Sequence, residues 1–254
     1  MSPQTTTNTA FLIVPGSFTP PTLYTKIISL LQAQNYLASV IPLQSASERP
    51  QGPATFEEDA SAIHSALLAL VEEGKDVVLV MHSYGGYPGT EASKGLSKKE
   101  REKEGKEGGI VRLVYMAAFI PAVGGSIVGG LGENVPDSIK LAGDYMTLPF
   151  SDYVKIFNDL PDAEGKYWMS QMLNHSTISF SGVLTYPGYK YIPGTYLLTG
   201  NDKIVPVEAQ RQMIEFARSE GANVDVVETE AGHCPVLSIP EKTVEILIEA
   251  ARGV

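Results

Sequence analysis

Residues 77–86 read Val-Val-Leu-Val-Met-His-Ser-Tyr-Gly-Gly, and this stretch decides how the fold is predicted. Its unbroken apolar run predicts a strand that is buried on both faces, as in a parallel sheet covered by helices. A serine between such a strand and a following helix is typical of a nucleophile elbow, the tight turn that exposes the serine hydroxyl above the sheet. Of the usual G-x-S-x-G pattern, Gly85 is present and Met81 replaces the first glycine. Ser83 is therefore the predicted nucleophile, with an ordinary glycine-rich turn as the alternative.

The rest of the chain alternates between strand-like and helix-like segments. Apolar runs predict five further strands, at residues 11–14, 36–42, 111–119, 194–199 and 224–227. Helical spacing predicts helices at residues 23–31, 56–74, from 84 onward, 207–220 and 240–252. The second of these begins with Thr55-Phe-Glu-Glu58, which fits a capping box. The alternation predicts an α/β fold with a mostly parallel six-stranded sheet and helices on both faces.

One interval interrupts this alternation, and it is interpreted as a helical cap inserted after the fourth strand. The sheet-containing core is predicted at residues 1–121 and 194–254, and the cap at residues 122–193, with glycines 124, 125, 129, 130 and 132 as its hinge. The cap is rich in aromatic residues: Tyr145, Phe150, Tyr153, Phe157, Tyr167, Trp168, Phe180, Tyr186, Tyr189 and Tyr191. They indicate either an apolar substrate pocket or the cap's own core. The charged run at 94–109 is interpreted as a solvated helix end and loop.

A serine nucleophile needs a base, and the base needs an acid that orients it. Among the four histidines, His233 follows the last predicted strand in Glu230-Ala-Gly-His-Cys-Pro235. Asp202 follows the fifth strand in the same way. Because catalytic groups of parallel sheets gather at the carboxyl ends of the strands, Ser83, Asp202 and His233 are expected to meet there. Taken singly, Asp202 could instead cap a turn and His233 could be a packed loop histidine.

The other candidate side chains are assigned to structure. His82 is adjacent to Ser83 and points differently on the turn, so it is interpreted as structural. His64 is placed on a helix, and His175 is placed in the cap. Cys234 has no second histidine–acid pair and is interpreted as a packing residue. As the single cysteine of the chain, it cannot form an internal disulfide.

Composition excludes several classes of function. The chain has 254 residues, 43% hydrophobic and 19% charged, which suits one globular domain. Its net charge of −10 disfavours binding to nucleic acid or to anionic membranes. Neither a signal peptide nor an apolar run of membrane-spanning length is recognised, so a cytoplasmic protein is expected. Neither a cofactor nor a metal is implied, and the oligomeric state is left open.

These motifs resemble the α/β-hydrolase superfamily over almost the whole chain. Within it, the chain is similar to a small esterase branch that includes plant methyl-ester esterases, hydroxynitrile lyases and fungal relatives. The likeness rests on Phe157-Asn-Asp-Leu160, Trp168, His175-Ser176 and residues 196–210. The order serine, acid, histidine is also the order of this superfamily.

The resemblance implies further site residues. The branch has a His-Gly pair after the first strand, where this chain has Pro15-Gly16. By that match, the backbone N–H groups of Ser17 and Tyr84 form the oxyanion hole. The hydroxynitrile lyases of the branch carry a threonine at the position of Gly16 and a lysine at that of Cys234. Without the lysine, no positive charge is available for departing cyanide, which disfavours cyanohydrin cleavage.

The expected function is acyl transfer through a covalent intermediate on Ser83. The expected substrate is a small-molecule ester, thioester or lactone with an apolar acyl group, and water or an internal hydroxyl releases that group. Two alternatives stay open. One is a non-hydrolytic lyase or decarboxylating enzyme that uses the same three residues. The other is a ligand receptor that kept the fold and lost turnover.

Overall fold

A six-stranded sheet forms the centre of the protein, in a computed structural model that describes residues 8–131 and 143–253. The strands of the described residues are β1 (Thr9–Val14), β2 (Leu37–Val40), β3 (Asp76–His82), β4 (Gly109–Met116), β5 (Tyr145–Met146), β6 (His175–Ser176), β7 (Gly194–Thr199) and β8 (Val224–Thr229). The large sheet has the order β2-β1-β3-β4-β7-β8, and every neighbouring pair in it is parallel. The predicted fold class is confirmed.

Helices cover both faces of this sheet. The helices of the described residues are α1 (Thr25–Ala33), α2 (Phe56–Glu72), α3 (Gly86–Ala92), α4 (Lys98–Lys103), α5 (Ile127–Leu131), α6 (Tyr153–Ile156), α7 (Asp162–Gln171), α8 (Val207–Ser219), α9 (Pro235–Ser238) and α10 (Pro240–Arg252). On β3, Leu79 belongs to one buried core, which includes side chains of α2 and α8, whereas Val80 belongs to a second core, which includes side chains of α1 and α10. Each fully buried side chain of this kind contributes about 1.5–3 kcal/mol to folding. The two-sided burial explains the continuous apolar run in the sequence.

Two sequence predictions concern α2 and α4: the capping box that begins α2, and the exposure of the charged run around α4. Thr55 caps α2 through its hydroxyl, while the Glu58 carboxylate accepts from the Thr55 N–H at 2.9 Å, which is the predicted capping box. Most of the charged run at 94–109 is exposed, including residues 102–107 throughout, as predicted for a solvated helix end and loop. Among its charged residues Arg101 of α4 is the exception: it is buried, pairs with Glu72 at 2.9 Å, and donates to three backbone carbonyls. The five N–H donors of a guanidinium allow one buried arginine to satisfy several carbonyls at once.

The chain between β4 and β7, called the cap below, contains α5, α6, α7 and several short 3-10 turns. Its strands β5 and β6 pair antiparallel as a separate two-stranded ribbon. The boundaries of the cap as a domain stay a prediction. Of its proposed hinge glycines, Gly124 has a φ of +77°, which favours glycine, and Gly132 lies outside the described residues. None of the described helices is long and apolar enough to cross a membrane.

The turn from β3 into α3 depends on glycines because the backbone of other loops passes against it. A Cβ atom at Gly85 would lie 2.6 Å from the Pro15 carbonyl oxygen, and one at Gly86 would overlap the Phe119 carbonyl. The Met81 side chain, at the position where the usual pattern has glycine, has room because residue 89 is also a glycine. A Cβ at Gly89 would lie 2.7 Å from the Met81 sulfur, so the methionine uses the room that Gly89 leaves.

We predict that Gly86→Ala destabilises the protein by about 1–3 kcal/mol, because the added methyl must displace the strand-end backbone. The matched control is Gly130→Ala on α5, where the nearest atom to an added Cβ is the Tyr87 hydroxyl at 3.9 Å. That control should be neutral or slightly stabilising. Urea unfolding followed by circular dichroism measures both, and equal midpoints for Gly86→Ala and the parent would contradict the close packing of the turn.

Candidate active site

Three loops at the carboxyl ends of parallel strands bring the predicted triad residues together. Ser83 directly follows β3, Asp202 follows β7, and His233 follows β8. Because β3, β7 and β8 run in the same direction, their following loops lie at the same edge of the sheet. All three side chains are buried.

His233 lies between the other two residues and bonds to both. Its Nδ1 is 2.8 Å from Asp202 Oδ2, and its Nε2 is 3.1 Å from Ser83 Oγ. An ionised carboxylate can only accept, so Nδ1 carries the proton and donates it to Asp202. Nε2 of this neutral tautomer has a free lone pair and accepts the hydrogen bond from the Ser83 hydroxyl.

The Asp202 carboxylate is fixed by its own loop. Its Oδ1 accepts from the N–H groups of Ile204 at 2.8 Å and Val205 at 2.9 Å, and its Oδ2 accepts from the Thr199 hydroxyl at 3.1 Å. Burial raises the pKa of this carboxyl, but electrostatic attraction to His233, the hydrogen bond from His233 and the backbone donors outweigh burial and lower the pKa overall. Asp202 is therefore ionised and rigidly oriented beside the imidazole.

Ser83 has a strained backbone, as expected for the turn. Its φ is +50°, a left-handed value that is uncommon for residues other than glycine. The Ser83 carbonyl accepts from the Phe119 N–H at 3.2 Å, which holds the turn against the loop after β4. Strain of this kind persists only where the surrounding structure enforces it, and it is typical of functional sites.

His82, predicted to be structural, connects three parts of the site. Its Nε2 donates to the His233 carbonyl at 2.8 Å, and its Nδ1 accepts from the Tyr24 hydroxyl at 2.7 Å. The Tyr24 hydroxyl in turn accepts from the Gly16 N–H at 3.0 Å. Burial, and then the neighbouring His233, lower the pKa of His82 to about 3, so it stays neutral. Tyr24 could not be predicted as a site residue, because it is distant in sequence from every motif.

The loop after β1 places the predicted oxyanion donors next to Ser83. Gly16 packs directly on the elbow, since a Cβ there would lie 3.2 Å from the Ser83 Cβ. Ser17 lines the cavity at Ser83, and within the described part of the chain its N–H donates to no acceptor. The Tyr84 side chain extends away from the cavity, because its hydroxyl donates to the buried Asp59 carboxylate at 2.8 Å. Only the backbone of Tyr84 is therefore available to the site.

A cavity of about 60 Å³ adjoins Ser83 and His233. The cap contributes Leu148, Ile156 and Met172 to its walls. Among the described residues, no lysine or arginine lines it. A volume of this size holds a few water molecules or a small apolar group.

The cap aromatics do not line this cavity. None of the ten predicted aromatic residues is among its described walls. Phe157, Phe180 and Tyr189 are buried in the two cores instead, and Phe180 stacks on Tyr84 at 5.3 Å between ring centroids. Tyr167 and Tyr191 are at least half exposed. For the buried aromatics the interpretation as a packing core was right, and the apolar walls come from aliphatic residues that the sequence analysis did not single out.

The remaining candidate residues have structural contacts. His64 Nδ1 donates to the Ala92 carbonyl at 2.8 Å. His175 is fully buried and bonds the Ser179 hydroxyl at 3.1 Å, and burial lowers its pKa to about 3. Cys234 lines the cavity but is almost fully buried, and burial raises the pKa of its thiol. Within residues 8–131 and 143–253, no cluster of three or more His, Cys, Asp or Glu side chains could hold a metal ion.

Comparison with known proteins places this geometry in a family. The model of the alpha/beta hydrolase family matches residues 11–246. The chain belongs to the alpha/beta hydrolase family. This α/β-hydrolase is 34% identical over 244 residues to the probable hydrolase R7 of a Phoma species, covering 94% of this chain and 97% of that protein. It is also 34% identical over 246 residues to the alpha/beta hydrolase nvfD of Aspergillus novofumigatus, covering 95% of this chain and 96% of that one.

Solved structures of similar fold include esterases. An extracellular alpha/beta-hydrolase from a Paenibacillus species aligns with a TM-score of 0.76 at 18% identity, over 95% of this α/β-hydrolase and 98% of that chain. Polyneuridine aldehyde esterase aligns with a TM-score of 0.73 at 19% identity, over 96% and 99%. At these identities the likeness shows the fold. The family predicted from the sequence is confirmed.

We predict that acid destabilises this protein before its carboxylates titrate, because His82 and His175 stay neutral in the fold. In the unfolded chain both ionise near 6.5, whereas the folded pKa of each is about 3. The unfolded state therefore binds more protons over this window, and stability falls as pH decreases from 6.5 toward 3. Between pH 6 and 5, the free energy of unfolding should fall by roughly 2–3 kcal/mol.

Urea unfolding at pH 7, 6 and 5 measures this slope. His175→Asn, which keeps an acceptor beside the Phe18 N–H, should lose about half of this slope. A free energy of unfolding that is constant from pH 7 to 5 would show that the buried histidines are not held neutral.

Proposed function

We propose that this α/β-hydrolase is a serine esterase or thioesterase that forms an acyl-enzyme on Ser83. The observation that carries the proposal is the position of His233, which hydrogen-bonds Ser83 at 3.1 Å and Asp202 at 2.8 Å beside an apolar cavity. Serine–histidine–acid geometry of this kind activates the hydroxyl in many unrelated hydrolases.

The reaction follows from the proton positions. Ser83 Oγ attacks the substrate carbonyl carbon while its proton moves to His233 Nε2, and the ionised Asp202 stabilises the resulting imidazolium. The tetrahedral intermediate then expels the alcohol or thiol, which takes the proton from Nε2. Water repeats the sequence on the acyl-enzyme, losing a proton to Nε2 and releasing the acid and the free Ser83 hydroxyl. An internal hydroxyl in place of water would form a lactone.

The N–H groups of Ser17 and Tyr84 are the proposed oxyanion donors. Ser17 lines the cavity, and its N–H has no acceptor among the described residues, which supports the first assignment. Tyr84 directly follows the nucleophile, as the second donor does in the elbow pattern. Donors fixed in this way act on charge that develops in the transition state, and each is worth about 10²–10³ in rate.

The cavity supports an apolar substrate. Leu148, Ile156 and Met172 form an aliphatic wall, and no cation of the described residues lines the cavity to hold a carboxylate or a departing cyanide. A neutral ester, thioester or lactone fits this environment better than an anionic substrate of a lyase or decarboxylase. The names of the curated relatives, both described as hydrolases, support the same reaction type.

We predict that the purified protein hydrolyses members of a panel of p-nitrophenyl esters, acyl thioesters and lactones. Ser83→Ala should lower kcat by about 10⁴-fold or more, because among the described residues Ser83 supplies the one hydroxyl that bonds His233 Nε2. Spectrophotometric assays of each substrate measure both proteins. The matched control is Ser65→Ala, an equal change at a serine whose hydroxyl donates to the Ser61 carbonyl of its own helix.

The outcomes separate the rival functions. Equal rates for Ser83→Ala and the parent would remove Ser83 from the reaction. Carbon–carbon cleavage with no acid released from any ester would favour the lyase. Tight ligand binding with no turnover of any substrate would favour the receptor.

A further inference from the structure

Besides lining the cavity, the cap hydrogen-bonds three loops of the site: the loop of Asp202, the loop of His233 and the loop after β1 that carries Ser17. Asn158 Nδ2 donates to the Asn201 carbonyl at 3.0 Å, next to Asp202. The Asp159 carboxylate accepts from the Gly232 N–H at 2.6 Å, next to His233. We propose that Asn158 and Asp159 are positioning residues, which set the acid and base loops in register with Ser83. This inference rests on the proposed function.

Asn158 and Asp159 pack closely against the loop that carries His233. A Cβ atom at Gly232 would lie 2.5 Å from Asn158 Oδ1 and 2.7 Å from Asp159 Oδ1. Only glycine therefore allows the cap to approach this backbone. His233 follows immediately, so a shift of the Gly232 peptide moves the imidazole that must stay between Ser83 and Asp202.

The polar atoms of the pair are not arranged for greatest stability. Asn158 Oδ1 and Asp159 Oδ1 are buried, and within the described residues neither has a hydrogen-bond partner. Buried acceptors without partners are costly, and natural structures keep few of them. Their retention at the loops of Asp202 and His233 is typical of a site where function sets the geometry.

The cap holds the oxyanion loop by a separate contact. Phe18 follows Ser17 and has a strained φ of +65°. Its carbonyl accepts from the Leu173 N–H at 2.7 Å, and its N–H donates to His175 Nδ1 at 3.4 Å. Both backbone groups of this strained residue are thus bonded by the cap.

The anchors are close in sequence to the cavity walls. Ile156 lines the cavity two residues before Asn158, and Met172 lines it directly before Leu173. Short segments of the cap therefore contact the substrate space and the catalytic loops at once. A cap displaced from the sheet edge would release the loops of Asp202, His233 and Ser17 together.

The test compares Asp159→Ala with Asp159→Asn, which keeps an acceptor oxygen of the same reach. Asp159→Ala should lower kcat by about 10- to 100-fold with KM within about twofold, as expected when reacting groups are misplaced by a fraction of an ångström or more. Asp159→Asn should restore kcat to within about threefold of the parent. The matched control is Asp162→Ala on α7, whose carboxylate accepts from the Tyr153 hydroxyl and the Lys166 ammonium, both away from the catalytic loops.

A second measurement does not depend on turnover. The His233 Nδ1 proton, held by Asp202 in a buried charge-assisted bond, should give a slowly exchanging downfield proton resonance. It should broaden or vanish in Asp159→Ala and persist in Asp159→Asn and Asp162→Ala. A resonance unchanged in Asp159→Ala, or an effect on KM alone, would overturn the positioning role. A parent protein without esterase activity would instead contradict the proposed function. The positioning role of Asp159 would then be tested by the His233 Nδ1 resonance alone, compared between the parent and Asp159→Ala.

Discussion

The hydrogen bond between His233 Nε2 and Ser83 Oγ joins residues that are 150 positions apart, and the rest of the site depends on it. No local motif can impose such a contact. It exists because β3 and β8 are parallel strands of one sheet, so that the loops after both strands start from the same edge. β7, which lies beside β8, adds Asp202 from the same direction. The sheet order thus determines which side chains can react together.

Several contacts hold the Ser83–His233 hydrogen bond in place, although two residues of the site have strained backbones. Ser83 and Phe18 both adopt left-handed backbone conformations without being glycine. Their strain is offset by neighbours: the Phe119 N–H bonds the Ser83 carbonyl, and the Leu173 N–H bonds the Phe18 carbonyl. His82 then joins the elbow to the backbone of His233. A rigid imidazole costs little reorganisation during the reaction, which is the physical advantage of this arrangement.

The sequence predicted the fold well because its signals are local and redundant. Each signal indicates a local structure: the apolar run before Ser83 a buried strand, the capping box of Thr55 a helix start, and the glycines of the elbow a tight turn. The alternation of strands and helices then predicts a parallel sheet. The triad residues were predictable for the same reason, since each follows a recognisable strand. The distances between these three side chains are seen only in the structure, and their chemical roles are proposed.

Other features could not be predicted, because they depend on contacts between distant segments. Tyr24 lies in no motif, and its bond to His82 arises only when the 3-10 turn before α1 lies against the end of β3. The charged run at 94–109 has a solvated composition, yet Arg101 turns inward to carbonyls that the fold brings within reach. Aromatic content could not distinguish a substrate pocket from a packing core. Asn158 and Asp159 were noticed only through family resemblance, without a role.

The most direct test of the account is to identify the residue that reacts with a fluorophosphonate probe. Intact-mass analysis and peptide mapping after labelling should find one adduct per chain, on Ser83 Oγ, formed much more slowly in His233→Ala and absent in Ser83→Ala. No adduct on Ser83, or labelling at the same rate without the His233 imidazole, would contradict the claim that these distant residues form one reactive unit.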